Sequence, residues 1–263
     1  MSRPAGSAAA PLLEVRELSR RFGGLLALDR VSFTVQAGEI FGLIGPNGAG
    51  KTTLFNLISG VSAASAGEVL WQGQAITALP PHRLNRLGLA RTFQNLRLFD
   101  SLSVLENVLV ALRPQPSASV LAGWLPGAHQ RRLERQRLET AIQWLEELAL
   151  LPLIERQAGT LAYGDRRRLE IARALATRPS LLLLDEPAAG LNPSEKDHLC
   201  QLIADLRQRH QLTVMIIEHH VPLLMRLCDR LAVLDFGVRI ALGTPDQVRR
   251  DPRVIAAYLG VTA

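Results

Sequence analysis

Residues 45–52 read Gly45-Pro46-Asn47-Gly48-Ala49-Gly50-Lys51-Thr52, a complete phosphate loop of the form Gly-x-x-x-x-Gly-Lys-Thr. Such a loop constrains everything around it. Its glycines let the backbone wrap phosphate oxygens so that N–H groups point inward. Its lysine brings a point charge to the β- and γ-phosphates, and its threonine hydroxyl is a ligand for Mg²⁺. These groups converge only where a buried strand enters the loop and a helix leaves it, because the helix N-terminus adds positive potential at the phosphates. Both neighbours are present. Glu39 to Ile44 predicts a short buried strand, and Lys51-Thr52-Thr53 opens a run to Ser59 that predicts a helix stopped by Gly60. That flanking separates the match from a chance glycine-rich turn.

A second acidic signal lies downstream. Leu181-Leu182-Leu183-Leu184-Asp185-Glu186-Pro187 is four apolar residues followed by two acids. A four-leucine run is what a parallel strand buried on both faces requires. Ligands of open α/β sheets bind at the C-terminal ends of such strands. Asp185 there is placed to hold Mg²⁺ through water, and Glu186 to orient or deprotonate a water attacking a γ-phosphate. Taken alone, the pair reads equally well as an acidic turn capping a core strand. The upstream phosphate loop favours the chemical reading.

The remaining chain alternates in a way that sets the fold class. Strands are expected at Leu13–Arg16, Val31–Val35 and Gly67–Trp71, before the helical stripe Leu102, Leu105, Val108, Leu109, Leu112. Residues 113–129, rich in proline, glycine and small residues, predict a loop. Residues 131–150 predict an amphipathic helix with Leu133, Leu138, Ala141, Ile142, Leu145 and Leu148 on one face, ended by Pro152. From residue 165 onward helix and strand alternate: Asp165–Thr177, Leu181–Asp185, Ser194–His210, Leu212–Glu218, Val221–Cys228 and Arg230–Asp235. Alternation of that kind implies a doubly wound parallel sheet, here interrupted by a mostly helical stretch at about 95–160.

At 263 residues and 48% hydrophobic composition, the chain has room for one large domain with an insertion and can bury a full core. The net charge of +6 suits nucleic acid, an acidic membrane surface or a phosphate-rich ligand, and equally an ordinary solvated basic surface. Cys200 and Cys228 lack metal spacing and fit a reducing compartment. No apolar run approaches the ~20 residues that span a bilayer, and Ser2 to Pro11 lacks an apolar signal core and reads as a disordered lead-in. A cytosolic protein that reaches a membrane through a partner is expected.

Upstream of the acid pair, Leu161-Ala162-Tyr163-Gly164-Asp165-Arg166-Arg167-Arg168-Leu169-Glu170-Ile171-Ala172-Arg173-Ala174-Leu175 resembles the signature segment of ATP-binding cassette (ABC) transporter subunits. Gly164 permits close approach, and a helix N-terminus attracts an anion. The resemblance covers about residues 12–260. It implies an α/β phosphate-loop NTPase core with an N-terminal antiparallel β subdomain and an inserted α-helical subdomain. The division expected is a lead-in at 1–11 and a single domain at 12–263. Core and β subdomain fall at about 12–94 and 165–250, the helical insertion at about 95–164, and a C-terminal helix at about 251–263.

By the same resemblance ATP and Mg²⁺ are the cofactors, and further residues take roles. Gln94 resembles the glutamine that touches Mg²⁺ and relays motion to the helical insertion. His219 resembles the switch histidine that hydrogen-bonds the γ-phosphate, and Phe22 the aromatic that stacks on adenine. Ala162, Tyr163, Gly164 and Asp165 contact the γ-phosphate bound to a second cassette, and Ala188 to Asn192 cross the interface between the two. Several positions depart from the broad pattern. Ala162 stands for a usual Ser, which removes a hydrogen bond worth ~1 kcal/mol. Tyr163 stands for Gly, Asp165 for Gln, Asn192 for Asp and His220 for Asp.

The Leu-Ala-Tyr-Gly start, Ile217-Glu218-His219, the long insertion at 113–140 and the closing Asp251 to Gly260 are similar to the branched-chain amino acid importer ATPases. That subfamily implies two membrane-spanning permeases, a second cassette, an indirect substrate-binding protein and a place on the cytoplasmic side of the membrane. ATP closes a sandwich of two cassettes, and hydrolysis through Glu186 and His219 reopens it. Most of the stripe at 102–112 is expected to pack inside the insertion, the alternative being that it faces a permease. An exporter of the lipopolysaccharide-transport type, a nucleic-acid or ribosome-associated cassette and a cassette that binds ATP without hydrolysing it remain alternatives. One phosphate loop and no sustained heptads argue against the nucleic-acid class, and intact Lys51, Asp185, Glu186 and His219 against the inactive one.

Overall fold

The computed structural model describes residues 10–94, 96–112 and 128–259, without the side chains of 128–130 and 259. Most of the loop expected at 113–129, the first nine residues of the lead-in, Asn95 and residues 260–263 lie outside that description.

β1 (Leu13–Phe22) and β2 (Leu25–Val35) form a hairpin through Gly23-Gly24. Both strands run well past the alternating stretches that announce them. Register shifts at Val15/Leu18, Leu18/Arg20 and Arg20/Arg21, together with left-handed backbone at Glu17 and Arg30, break the period-two pattern without ending the pairing. β3 (Ile40–Ile44) leads into the phosphate loop and α1 (Lys51–Ile58) leads out. β4 (Ala66–Trp71) and β5 (Gln74–Ala75) complete an antiparallel sheet in the order β2-β1-β4-β5. Next come α2 (Pro81–Leu87) and β6 (Leu89–Arg91), then α3 (Val104–Ala111), α4 (Ala128–Glu147) and α5 (Tyr163–Ala176).

The C-terminal half alternates: β7 (Leu181–Asp185), α6 (Pro193–His210), β8 (Thr213–Ile217), α7 (Val221–Leu227), β9 (Arg230–Asp235), β10 (Val238–Gly243), α8 (Pro245–Arg250) and α9 (Pro252–Leu259). Its strands join β3 and β6 in a six-stranded sheet ordered β10-β9-β3-β8-β7-β6. All neighbours are parallel except β10, which turns back on β9.

The four leucines of β7 divide by pleat. Leu182 and Leu184 join Val214, Ile216, Leu231 and Val233 in the core beneath α5, α6 and α7. Leu181 and Leu183 join Met215, Ile217, Phe41 and Leu43 in the core shared with α1 and the antiparallel sheet. A strand covered on both sides has no polar face, so its sequence does not alternate.

The helical region departs from expectation in two places. The stripe at 102–112 becomes helix only from Val104, where Ser103 and Glu106 form a capping box. Val108 and Leu112 are buried, while Leu105 and Leu109 pack against the same core, so most of the stripe is internal. α4 ends at Glu147, five residues before Pro152, because Ala149 takes a left-handed φ of 52°. Its buried face holds Ala141 and Leu145, with Leu148 buried just past its end, whereas Leu138 is exposed. α5 packs on both α3 and α4.

Candidate active site

The parallel register decides which loops meet. β7 pairs with β8 so that Asp185 lies opposite Ile217, and β3 pairs with β8 so that Leu43 lies opposite Ile217. The residues just beyond the C-terminal strand ends therefore sit side by side: the phosphate loop after β3, Glu186 after β7 and His219 after β8. An open cleft of about 710 Å³ there is lined by Asn47, Gly48, Ala49, Gly50, Lys51, Thr52, Thr53, Phe22, Gln94, Glu186 and His219. Gly45 and Pro46 form the base of the loop.

Loop shape depends on left-handed backbone. Gly45, Gly48 and Gly50 have φ of 153°, 82° and 98°. A Cβ on Gly48 would meet nothing within 4 Å, so that stretch of backbone is open toward the cleft. The buried Lys51 ammonium donates to the carbonyls of Gly45 at 2.8 Å and Pro46 at 2.9 Å. Burial pushes its pKa down, and the nearby Glu186 carboxylate partly offsets this. The lysine is thus held inside the curl of the loop, stretched toward where anionic oxygens would enter.

Glu186 is the hub. Its own φ of 49° turns the chain sharply off β7, a left-handed conformation that costs a non-glycine residue about 1–2 kcal/mol. The carboxylate shares a hydrogen bond with His219 Nε2 at 2.6 Å and accepts from Gln94 Nε2 at 3.0 Å. Gln94, His219 and Glu186 are brought together as one cluster, whereas the Gln94 amide meets Glu186 and not Asp185. Asp185 Oδ2 instead accepts from Arg91 Nη2 at 2.8 Å. Its Oδ1 is buried with no hydrogen-bond partner among the described residues. A buried carboxylate oxygen left open in this way fits a site for a metal-bound water.

Phe22 ends β1 at the cleft mouth with one face covered by the Arg20 guanidinium, 4.4 Å from the ring centroid. The signature residues lie elsewhere. Ala162, Gly164 and Asp165 line a separate cleft with Leu191, Glu195 and His198, so one chain does not bring them to its own phosphate loop. Ala162 is the N-cap of α5 and, lacking a hydroxyl, caps nothing. The Tyr163 ring lies against Gly190. Asp165 pairs with Arg168 one turn along α5, which offsets the acid's charge at this helix start.

Three contributors escape sequence reasoning. Arg91 also binds Asn56 Oδ1 at 2.8 Å and Ser59 Oγ at 2.7 Å, tying α1 to β7. A charged residue closing a strand that is otherwise buried is the only sign of it. Buried Glu218 accepts the Ala188 N–H at 2.5 Å and the His219 N–H at 3.2 Å, clamping two cleft loops together. Burial pushes its pKa up, against the pull of those N–H groups. Its place just before His219 was a usable signal. Phe236, almost fully exposed in the β9–β10 turn, also lines the cleft.

A family model described as ABC transporter matches residues 28–189, and one described as branched-chain amino acid ATP-binding cassette transporter matches residues 238–263. The chain is 49% identical to the high-affinity branched-chain amino acid transport ATP-binding protein BraF of Pseudomonas aeruginosa, over 95% of this chain and 98% of that protein. It is 48% identical to LivG of Escherichia coli K12 over the same shares. The lipopolysaccharide export system ATP-binding protein LptB of Acidithiobacillus ferridurans is 38% identical over 95% of this chain and 97% of that protein. Among solved structures, MJ1267, an ATP-binding cassette of an ABC transporter, matches with a TM-score of 0.82 and 34% identity over 94% of this chain and 98% of that one. Its ADP conformation matches with a TM-score of 0.81 at 33% identity, over 95% and 99%.

Fold and cleft together are those of a phosphate-loop ATPase. The chain belongs to the ABC transporter family, as an ATP-hydrolysing cassette.

Proposed function

We propose that this chain is the ATPase subunit of an importer for branched-chain or related amino acids, seated on the cytoplasmic side of the membrane beneath two permeases. The observation that carries the catalytic reading is the convergence of the phosphate loop, Gln94, Glu186 and His219 on one cleft. Likeness to BraF and LivG along nearly the whole chain supports the transport class.

In this reading Gly45 to Thr53 cradle the phosphates of ATP through backbone N–H groups, and Lys51 swings its ammonium from the Gly45 and Pro46 carbonyls onto them. Phe22 stacks on the adenine, its far face backed by Arg20. Glu186 takes the proton of the attacking water, with His219 and Gln94 fixing the direction of the carboxylate. Thr52, Asp185 and Gln94 would hold Mg²⁺, which neutralises charge developing on the phosphates. No group of three or more His, Cys, Asp or Glu suited to a metal occurs among the described residues. The other ligands at such a site would come from phosphate and water.

In the same reading the signature residues Ala162 to Asp165 meet the nucleotide of a second cassette, which is supported by their lining a cleft separate from that of their own phosphate loop. Two cassettes then close around two ATP molecules and reopen after hydrolysis, because the phosphate contacts exist only in the closed state. No described helix is long and apolar enough to cross a membrane.

Wild-type chain should bind and hydrolyse ATP, and Lys51→Ala should lose at least ~100-fold in turnover. Wild-type turnover in that variant sinks the phosphate-loop assignment. Affinity purification from gently solubilised membranes should recover two multi-span permeases and a related cassette. The likeness to LptB supports lipopolysaccharide export as a second reading. Recovery of that machinery, of ribosomes or of nucleic acid would leave the ATPase standing and overturn the importer.

A further inference from the structure

Arg167, on α5 and outside the catalytic cluster, is the most deeply buried charged residue among those described. The Arg167 side chain is 1% exposed and that of Glu170 6%, and the two form an ion pair at 2.7 Å. Taking two such ions out of water carries a large desolvation penalty, and apolar side chains of similar volume would hold a helix core at least as well. The pair therefore calls for an explanation beyond packing.

Its remaining hydrogen bonds supply one. Glu170 Oε1 accepts the Phe93 N–H at 3.0 Å. Arg167 Nη1 donates to the Phe93 carbonyl at 3.2 Å and Nη2 to the Gln94 carbonyl at 3.4 Å. The same Nη2 donates to the Tyr163 hydroxyl at 3.1 Å. Phe93 and Gln94 lie past the end of β6, where the sheet no longer fixes them. Their backbone is instead gripped from its donor and acceptor sides by one pair on the signature helix. From there the Gln94 side chain reaches Glu186, and Tyr163 lies against Gly190 at the start of the same helix. The path Glu186, Gln94, Arg167 with Glu170, Tyr163, Gly190 is unbroken side-chain and backbone contact.

We propose that Arg167 and Glu170 are positioning residues for ATP hydrolysis. Their paired charges clasp the Phe93–Gln94 segment to the signature helix, so that the Gln94 amide is held on Glu186 and cannot move without α5. The inference rests on the cassette reading above. A guanidinium fork is suited to the task, since its two terminal nitrogens reach consecutive carbonyls while one also holds the carboxylate. In a dry interior such contacts hold their geometry, where a surface ion pair would yield.

The test uses the full chain with Glu170→Gln and Arg167→Lys. The first keeps an acceptor for Phe93 but removes the charge. The second keeps the charge but cannot span both carbonyls. Equilibrium ATP binding, kcat with KM, and amide hydrogen exchange across residues 163–170 with and without ATP are measured. Both variants should bind ATP within about twofold of wild type while kcat falls roughly tenfold to a hundredfold, the size of effect a misplaced catalytic group produces. The ATP-induced change in exchange at 163–170 should be present in wild type and lost in both. Unchanged kcat and an intact exchange response overturn the proposal. So does ATP affinity that falls in step with kcat, or failure of both variants to fold, since either marks a purely structural pair. Failure of wild type to bind ATP would instead sink the cassette reading itself.

Discussion

A Cβ on Gly45 would lie 2.1 Å from the Leu234 carbonyl oxygen, at a backbone φ of 153° that L side chains rarely adopt. Neither side can retreat easily, because Leu234 is main chain of β9 and Gly45 directly follows β3, the strand paired with it. Gly45→Ala is expected to destabilise the protein by about 2–4 kcal/mol. At roughly 2–4 °C per kcal/mol for a domain of this size, its thermal midpoint should fall by at least about 4 °C. A melt superimposable on wild type would refute the steric account. The loop was legible because glycine and lysine at fixed spacing have few other uses. Glu186 was legible as an acid but not as a left-handed residue, since nothing in Glu-Pro announces a positive φ. Arg91 and Glu218 were hidden for a different reason. Each acts through a partner distant in sequence, Asp185 in one case and Ala188 in the other.

α6 shows what local chemistry can specify unaided. Asn192 accepts the Glu195 N–H at 2.9 Å, Glu195 accepts the Asn192 N–H at 2.8 Å, and Pro193 occupies the first helical position. Asn192→Ala should cost about 1 kcal/mol and lower the thermal midpoint by about 2–4 °C. No shift in a calorimetric scan would show that the cap contributes nothing. Segments with this kind of punctuation, or with continuous apolar runs as in β7 and β8, could be read from the chain to within a residue or two. The failures share a cause. β1 and β2 carry bulges that scramble alternation, and α4 stops at a left-handed alanine rather than at the proline beyond it. β10 is an edge strand with mostly half-buried residues and no clear period. Short-range pattern cannot show what is decided by a neighbouring strand.

Across the full assembly of elements, the signature helix and the phosphate loop of one chain face different clefts. That separation has a measurable outcome. Glu186→Gln should bind ATP, stall hydrolysis and accumulate as an ATP-dependent dimer of twice the monomer mass in sedimentation, as expected when closure depends on ATP that is no longer consumed. A variant that stays monomeric at saturating ATP would remove the head-to-tail sandwich from the account, and one that turns over normally would move the catalytic role elsewhere. The parallel sheet and its alternating helices were readable from the order of strand and helix signals. The placement of β3 between β8 and β9 was not, because order along a sheet is set by which apolar faces meet.

That placement also bears on how the protein is made. β3 and the phosphate loop are synthesised early, yet both strands that flank β3 come more than 160 residues later. The loop itself is pinned from the same late region, where the Gly237 N–H donates to the Ala49 carbonyl at 3.1 Å. A chain still leaving the ribosome carries its phosphate-loop sequence without the frame that bends it. Capacity to hold ATP should therefore arise abruptly near the end of translation, and chains truncated before residue 237 should emerge unable to retain it.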